Sequence, residues 1–291
     1  MSGEDPFDTT PSSAVSTAVK IQQTPSNFIS DEMIRNKLFK QSNSKPKLCM
    51  LLKGKRGSGK SGAVMNYLTE QDIKDGHKIV WLDIDNCADD VRTSYHLDKV
   101  NNILMFNPVS ESIDEDGQII TDYKQTLNWV RSTIKWVKDN HQKEKIKAIC
   151  FDGLSPFLNH AENIMRIEKH IDASGGVSTA YWKLRAKIFY ETLEQIKAIP
   201  IDKFFIGHED FMETVGKDGK VIAVKERANQ MVSQSVICER IETLDKIVFK
   251  VKVDKSRTNI ALEGKSIDFA EVEKTTGKAV WNGRKVLELF M

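Results

Sequence analysis

The chain has 291 residues, 40% hydrophobic and 29% charged, with a formal net charge of +2. That length holds one large α/β domain with additions or two small domains, in a composition typical of globular rather than fully disordered chains. No apolar run approaches the ~18–20 residues of a membrane span, the acidic start MSGEDPFDTTPSS lacks secretory signal architecture, and a balance so near neutral neither demands nor forbids a nucleic-acid partner; a cytoplasmic location is the expectation.

Residues 1–28 are rich in Ser, Thr and Pro and read as a flexible tail. Residues 29–46 read as a short helix, with Ser30 as N-cap and Met33, Ile34 and Leu38 on one face, and a linker. From Lys47 strands and helices alternate. KLCMLLKG (47–54) is a buried-strand run, followed by a helix over 60–74 that Asp75-Gly76 ends. Strands follow at 78–85 and 102–108, and Asp116-Gly117 marks a hairpin or exposed loop. In the helix over 123–139, Leu127, Val130, Ile134 and Val137 share a face, while Trp129 and Trp136 suit either core or a subunit contact. KAICFDG (147–153) is a central strand, and helices over 155–172 and 179–198 flank the loop ASGGVS. In the second of these, Tyr181, Leu184, Ile188 and Leu193 have core spacing. KFFIGHED (203–210) is another strand, and VIAVKE, KIVFKVKVDKS, SIDFAEVE and KAVWNG read as antiparallel strands. The predicted architecture is α/β: a mostly parallel sheet flanked by helices over 47–260, with a C-terminal antiparallel β extension over 261–291 that lengthens the sheet at its edge. The cysteines Cys49, Cys87, Cys150 and Cys238 stand singly, without metal-ligand spacing, and read as reduced thiols.

The strongest signal is Gly54-Lys55-Arg56-Gly57-Ser58-Gly59-Lys60-Ser61, which fits G-x-x-x-x-G-K-[ST] at every fixed position. Its glycines let the backbone curl and turn N–H groups inward, forming a cradle for anions at the start of a helix. Residues 54–61, with Gly62 next to them, are the candidate contacts to ATP; Lys60 would reach the β- and γ-phosphates and the Ser61 hydroxyl would hold Mg²⁺. The bland alternative, a glycine-rich turn before an ordinary helix, does not account for the strand–loop–helix context.

The run Ile146–Phe151, apolar except for Lys147, ends at Asp152, at the edge of a parallel sheet where phosphate loops also lie. Asp152 is the second candidate Mg²⁺ ligand; a strand-end capping role is the alternative. Gly153 follows it, so a base for water activation must come from elsewhere. WLDIDN offers Asp83 and Asp85, which period-2 alternation puts on one face, and Asp85, nearer the strand's end, is the better candidate.

These residues resemble the RecA-like ATPases, over roughly residues 45–260. GKRGSGKS looks like that superfamily's Walker A motif, AICFDGLS like its Walker B motif, and WLDID stands where the family carries a catalytic acidic residue, normally Glu. The resemblance makes His208, at the end of FFIGHED, a sensor of the γ-phosphate, and makes Lys255 and Arg257 a finger that completes a neighbouring subunit's site. That last role implies a homo-oligomer. The short single-domain build is most similar to phage RecA-like single-strand annealing and nucleotide-binding proteins, which implies the cytoplasm of a bacterial host.

The segment 211–232 carries Lys217, Lys220, Lys225 and Arg227 around Asp218-Gly219, where the resemblance places a loop that contacts single-stranded DNA. Glu213, Asp218 and Glu226 make a solvated hairpin the alternative. The loop at 173–178 lies where the family has its other DNA loop, or is a plain connection between helices. The expected function is therefore Mg²⁺-dependent ATP hydrolysis by an oligomer on single-stranded DNA. A nucleotide-gated assembly protein with weak turnover and a small-molecule kinase remain the alternatives.

Overall fold

The computed structural model describes residues 47–290 except 173, 209–212, 216–220, 224–227 and 229, together with Glu32. Apart from Glu32, the expected tail and first helix, 1–46, lie outside the described residues, as do Lys217, Lys220, Lys225 and Arg227.

The chain is α/β, built on a nine-stranded sheet. β1 (Cys49–Gly54) leads into α1 (Lys60–Met65) and α2 (Glu70–Lys74). The single helix expected over 60–74 is thus two. Thr69 caps α2 by accepting from the Asp72 amide while the Asp72 side chain accepts from the Thr69 amide, a reciprocal box that starts a new helix. β2 (Lys78–Asp83) is followed by α3 (Ala88–Tyr95) and β3 (Ile103–Phe106). β4 (Glu111–Ile113) and β5 (Ile119–Thr121) form the expected hairpin. Next come α4 (Tyr123–Asn140), β6 (Ile146–Asp152), α5 (Leu154–Glu168), α6 (Trp182–Lys197) and β7 (Asp202–His208). A small hairpin pairs β8 (Glu213–Val215) with β9 (Val221–Ala223). β10 (Gln234–Glu242), β11 (Lys246–Ser256), β12 (Ser266–Glu273), β13 (Ala279–Trp281) and α7 (Arg284–Glu288) complete the chain.

The strand order is β13-β12-β11-β10-β1-β7-β6-β2-β3. The strands from β10 to β3 run parallel, and β11, β12 and β13 continue the sheet antiparallel. Burial explains the unbroken apolar runs of the central strands. Met50 and Leu52 of β1 join Val64, Trp81 and Phe204 on one face, while Cys49 and Leu51 join Val130, Phe157 and Phe189 on the other. β10 was not expected as a strand; it pairs with β1 from Met50–Gln234 to Lys53–Ile237 and closes that side of the parallel block. Trp129 and Trp136 are 47% and 43% exposed, so they belong to the surface of α4 and not to the core. No helix among the described residues is long and apolar enough to cross a membrane.

His96, just after α3, is buried against Trp281 with ring centroids 5.3 Å apart, and its Nε2 has no hydrogen-bond partner among the described residues. Burial, with the Lys99 charge beside it, pushes its pKa down to about 4. The unfolded imidazole titrates near 6.5, so between these values the unfolded chain binds the extra proton, and stability present above pH 6.5 is lost as pH falls toward 4. The expected cost is about 2 kcal/mol at pH 5 relative to pH 7.5. Urea unfolding of wild type and His96→Phe at both pH values measures it: the acid loss should shrink in the variant by about that amount. An unchanged acid loss would place the proton elsewhere.

Candidate functional site

The strand ends decide which residues meet. Gly54 stands in register with His208, and Asp152 pairs with Ile206 on one side and with Asp83 on the other. The loop after β1, the end of β7, the end of β6 and the turn after β2 therefore gather at one edge of the sheet. They line a cavity of about 260 Å³ that includes residues 56–62, Asp85, Cys87, Asp152 and His208.

Within the loop, two glycines are required. A Cβ on Gly54 would lie 2.2 Å from the Cys238 carbonyl oxygen of β10, so only glycine lets the strand leave the sheet there. Gly59 caps α1 in the left-handed region at φ 81°. The loop closes around its own lysine: the Lys60 ammonium, on a side chain only 6% exposed, donates to the carbonyls of Gly54 at 3.0 Å and Lys55 at 2.8 Å. Because α1 is a short helix rather than a long one, the curled backbone and Lys60 carry the attraction for an anion, with little contribution from a helix dipole.

Ser61 and Asp152 are brought together. The Ser61 hydroxyl donates to Asp152 Oδ2 at 2.8 Å. Burial pushes the Asp152 carboxyl up to about 7; the Ser61 hydrogen bond works against that rise, and the nearby Asp83 charge adds to it. Two hard oxygen donors suit Mg²⁺, which takes one or two protein ligands and completes its shell with water and phosphate oxygens. Among the described residues no cluster of His, Cys, Asp and Glu forms an all-protein metal cage.

The two acids of WLDID divide their work, and not as alternation suggests. β2 ends at Asp83, so Asp85 lies in the following turn and the two do not share a strand face. Buried Asp83 accepts from the amides of Ala88 at 2.9 Å and Cys87 at 3.4 Å, holding the turn at the start of α3. Asp85 faces the cavity and meets His208, Nε2 to Oδ2 at 3.0 Å. The His208 amide in turn donates to Ser155 Oγ at 3.3 Å. This contact also explains Gly153, because a Cβ there would lie 3.0 Å from the Asp85 amide nitrogen and from the Ile84 side chain. A side chain after Asp152 would crowd the Asp85 turn and strain a backbone that holds φ 104° there.

Lys255 and Arg257 stand apart from the cavity. β11 runs antiparallel to β10 with Ser256 opposite Gln234, at the sheet edge away from the loop. Lys255 donates to the Val232 carbonyl at 3.0 Å and Arg257 to that of Gln230 at 2.7 Å. Ser256 lies seven positions along β11 from Phe249, which lines the cavity, a span of about 24 Å.

Sequence reasoning passed over part of the cavity. Val91, Tyr95, Phe249, Val272 and Trp281 form its apolar end, and Cys87 lies beside the loop with Arg56 Nη2 3.5 Å from its sulfur. Nothing in their local spacing marks them. No protein-family model matches the chain, and no curated protein resembles it closely enough to count as a relative.

Proposed function

We propose that the chain is a Mg²⁺-dependent, RecA-like ATPase that works on single-stranded DNA as an oligomer. One observation carries the nucleotide part: Lys60 in its curled loop, the Ser61–Asp152 pair and the Asp85–His208 pair line a single cavity. Lys60 and the loop amides bind the phosphates, Ser61 and Asp152 hold the cation, and Asp85 orients a water and takes its proton. The metal, when bound, neutralises charge on the phosphate oxygens during transfer. His208 fixes the Asp85 carboxylate and lies where a change at the γ-phosphate reaches the end of β7. The chain leaves β7 into the segment with Lys217, Lys220, Lys225 and Arg227, which supports coupling between nucleotide and DNA. Lys255 and Arg257, too far to serve their own loop, support completion of the site by a second copy.

The test is ATP hydrolysis with and without single-stranded DNA, together with sizing in MgATP. Stimulation by DNA and a larger species are expected. Nucleotide binding without turnover would favour an assembly protein, and phosphate transfer to a nucleoside would favour a kinase.

Cys87 supplies an independent probe. It is exposed in the cavity, whereas Cys49, Cys150 and Cys238 are buried and burial raises their thiol pKa values, that of Cys238 to about 12. A maleimide should label Cys87 first, and saturating MgATP should slow that reaction several-fold. Labelling at an unchanged rate, followed by mass spectrometry, would count against nucleotide in this cavity.

A further inference from the structure

The cavity has two unlike ends. One is the loop with Lys60, Ser61 and Asp152; the other is a wall of Val91, Tyr95, Phe249, Val272 and Trp281. Strand pairing through β11, β12 and β13 brings Phe249, Val272 and Trp281 to the loop, and α3 supplies Val91 and Tyr95.

The wall touches the loop directly. A Cβ on Gly62 would lie 2.3 Å from the Trp281 ring, and one on Gly59 would lie 2.8 Å from Phe249. Trp281 stacks on Phe249 at 5.6 Å between centroids and 20° between planes, and Tyr95 approaches Trp281 at 5.9 Å. The stack is anchored from behind by Phe269, whose carbonyl accepts from the Asn282 amide at 2.6 Å. Phe249 is buried in the core at 8% exposure, but its partners are not covered in the same way. Tyr95 is 46% exposed and Trp281 only half-buried, and both border the space that begins at the phosphate loop.

We infer that this aromatic wall seats the nucleobase of the bound nucleoside triphosphate and does so without choosing among bases. The inference rests on the nucleotide reading above: a triphosphate held by residues 54–61 carries its sugar and base out of the loop along the cavity. Apolar and aromatic side chains dominate that lining, and the Trp281 indole N–H is buried without a hydrogen-bond partner among the described residues. Stacking is available to every base because each has a π-face. Rejecting a wrong base by large factors takes several buried donors and acceptors matched to its edge, and of the wall's five side chains only Tyr95 and Trp281 carry a polar atom. The phosphate end therefore selects the ligand class, and the C-terminal strands contribute affinity in the same chain.

Calorimetric titration in Mg²⁺ with ATP, GTP, CTP and inorganic tripolyphosphate tests this on wild type, Trp281→Leu and Tyr95→Ala. Wild type should bind the three nucleotides within about tenfold of one another, with the purines ahead of CTP. Trp281→Leu should weaken ATP by roughly 10- to 100-fold, Tyr95→Ala by a smaller factor, and both should leave tripolyphosphate within about twofold. Tyr95 lies at the surface, so its variant keeps the test open if Trp281→Leu fails to fold. Equal ATP affinity in wild type and the folded variants, or loss of tripolyphosphate in parallel with ATP, overturns the wall. So does a preference for one base beyond about 100-fold. If wild type binds neither ATP nor tripolyphosphate, the phosphate loop itself fails and the wall falls with it.

Discussion

Replacing Lys60 with alanine should weaken MgATP binding about 100-fold or more, roughly 3 kcal/mol, and abolish hydrolysis. The reason lies in the loop's own geometry. Lys60 is 6% exposed and its ammonium is held by the Gly54 and Lys55 carbonyls, so the charge is largely desolvated and oriented before a phosphate arrives. A charge so prepared costs little reorganisation when an anion binds, and its removal leaves no other buried cation within the loop. The charge also favours the ionised form of Asp152, against the burial that raises its pKa to about 7. The variant should therefore lose part of its cation affinity as well. Lys60→Met, which keeps the stem without the charge, separates packing from electrostatics: it should unfold close to wild type in urea yet bind MgATP as poorly as Lys60→Ala. Titration showing near wild-type affinity in either folded variant would remove the loop from the site.

Asp85→Asn should lower turnover by about 10²- to 10⁴-fold while nucleotide affinity stays within about threefold. The amide keeps the size of the carboxylate and can still meet His208, but it cannot take a proton from water. His208→Gln should cost less, because it loosens the orientation of Asp85 and leaves the carboxylate in place. The pattern of unchanged affinity with lost turnover identifies a group that acts in the chemical step. Wild-type turnover in Asp85→Asn would assign the base elsewhere. The competing candidate, Asp83, already accepts two amides at the start of α3, and Asp83→Asn should reduce stability more than turnover.

Much of this site could be read from short stretches of chain. The phosphate loop is a local backbone shape with glycines at fixed offsets, and Asp152 follows an apolar run long enough to be a strand buried on both faces. The break between α1 and α2 was also written locally: Thr69 and Asp72 stand three apart, the spacing of a capping box, and the apolar pattern across 60–74 hid it. β10 escaped because QSVICERIE mixes polar and apolar residues. Its buried half pairs with both β1 and β11, and its charged half pairs with β11 alone.

Other assignments could not come from spacing. In WLDID nearness to the strand's end favours Asp85 over Asp83, but only the end of β2 and the start of α3 make one a structural cap and the other a cavity residue. Gly153 reads as a missing acid until the Asp85 turn is seen against it. Trp281 lies 219 residues beyond Gly62, with β11 and β12 between it and the parallel strands, yet it covers that glycine. Residue patterns report the chemistry of neighbours along the chain: turn geometry, capping and which face is apolar. Contact between distant strands follows from the order in which the sheet assembles, and that order reflects the summed burial of many side chains rather than any one motif.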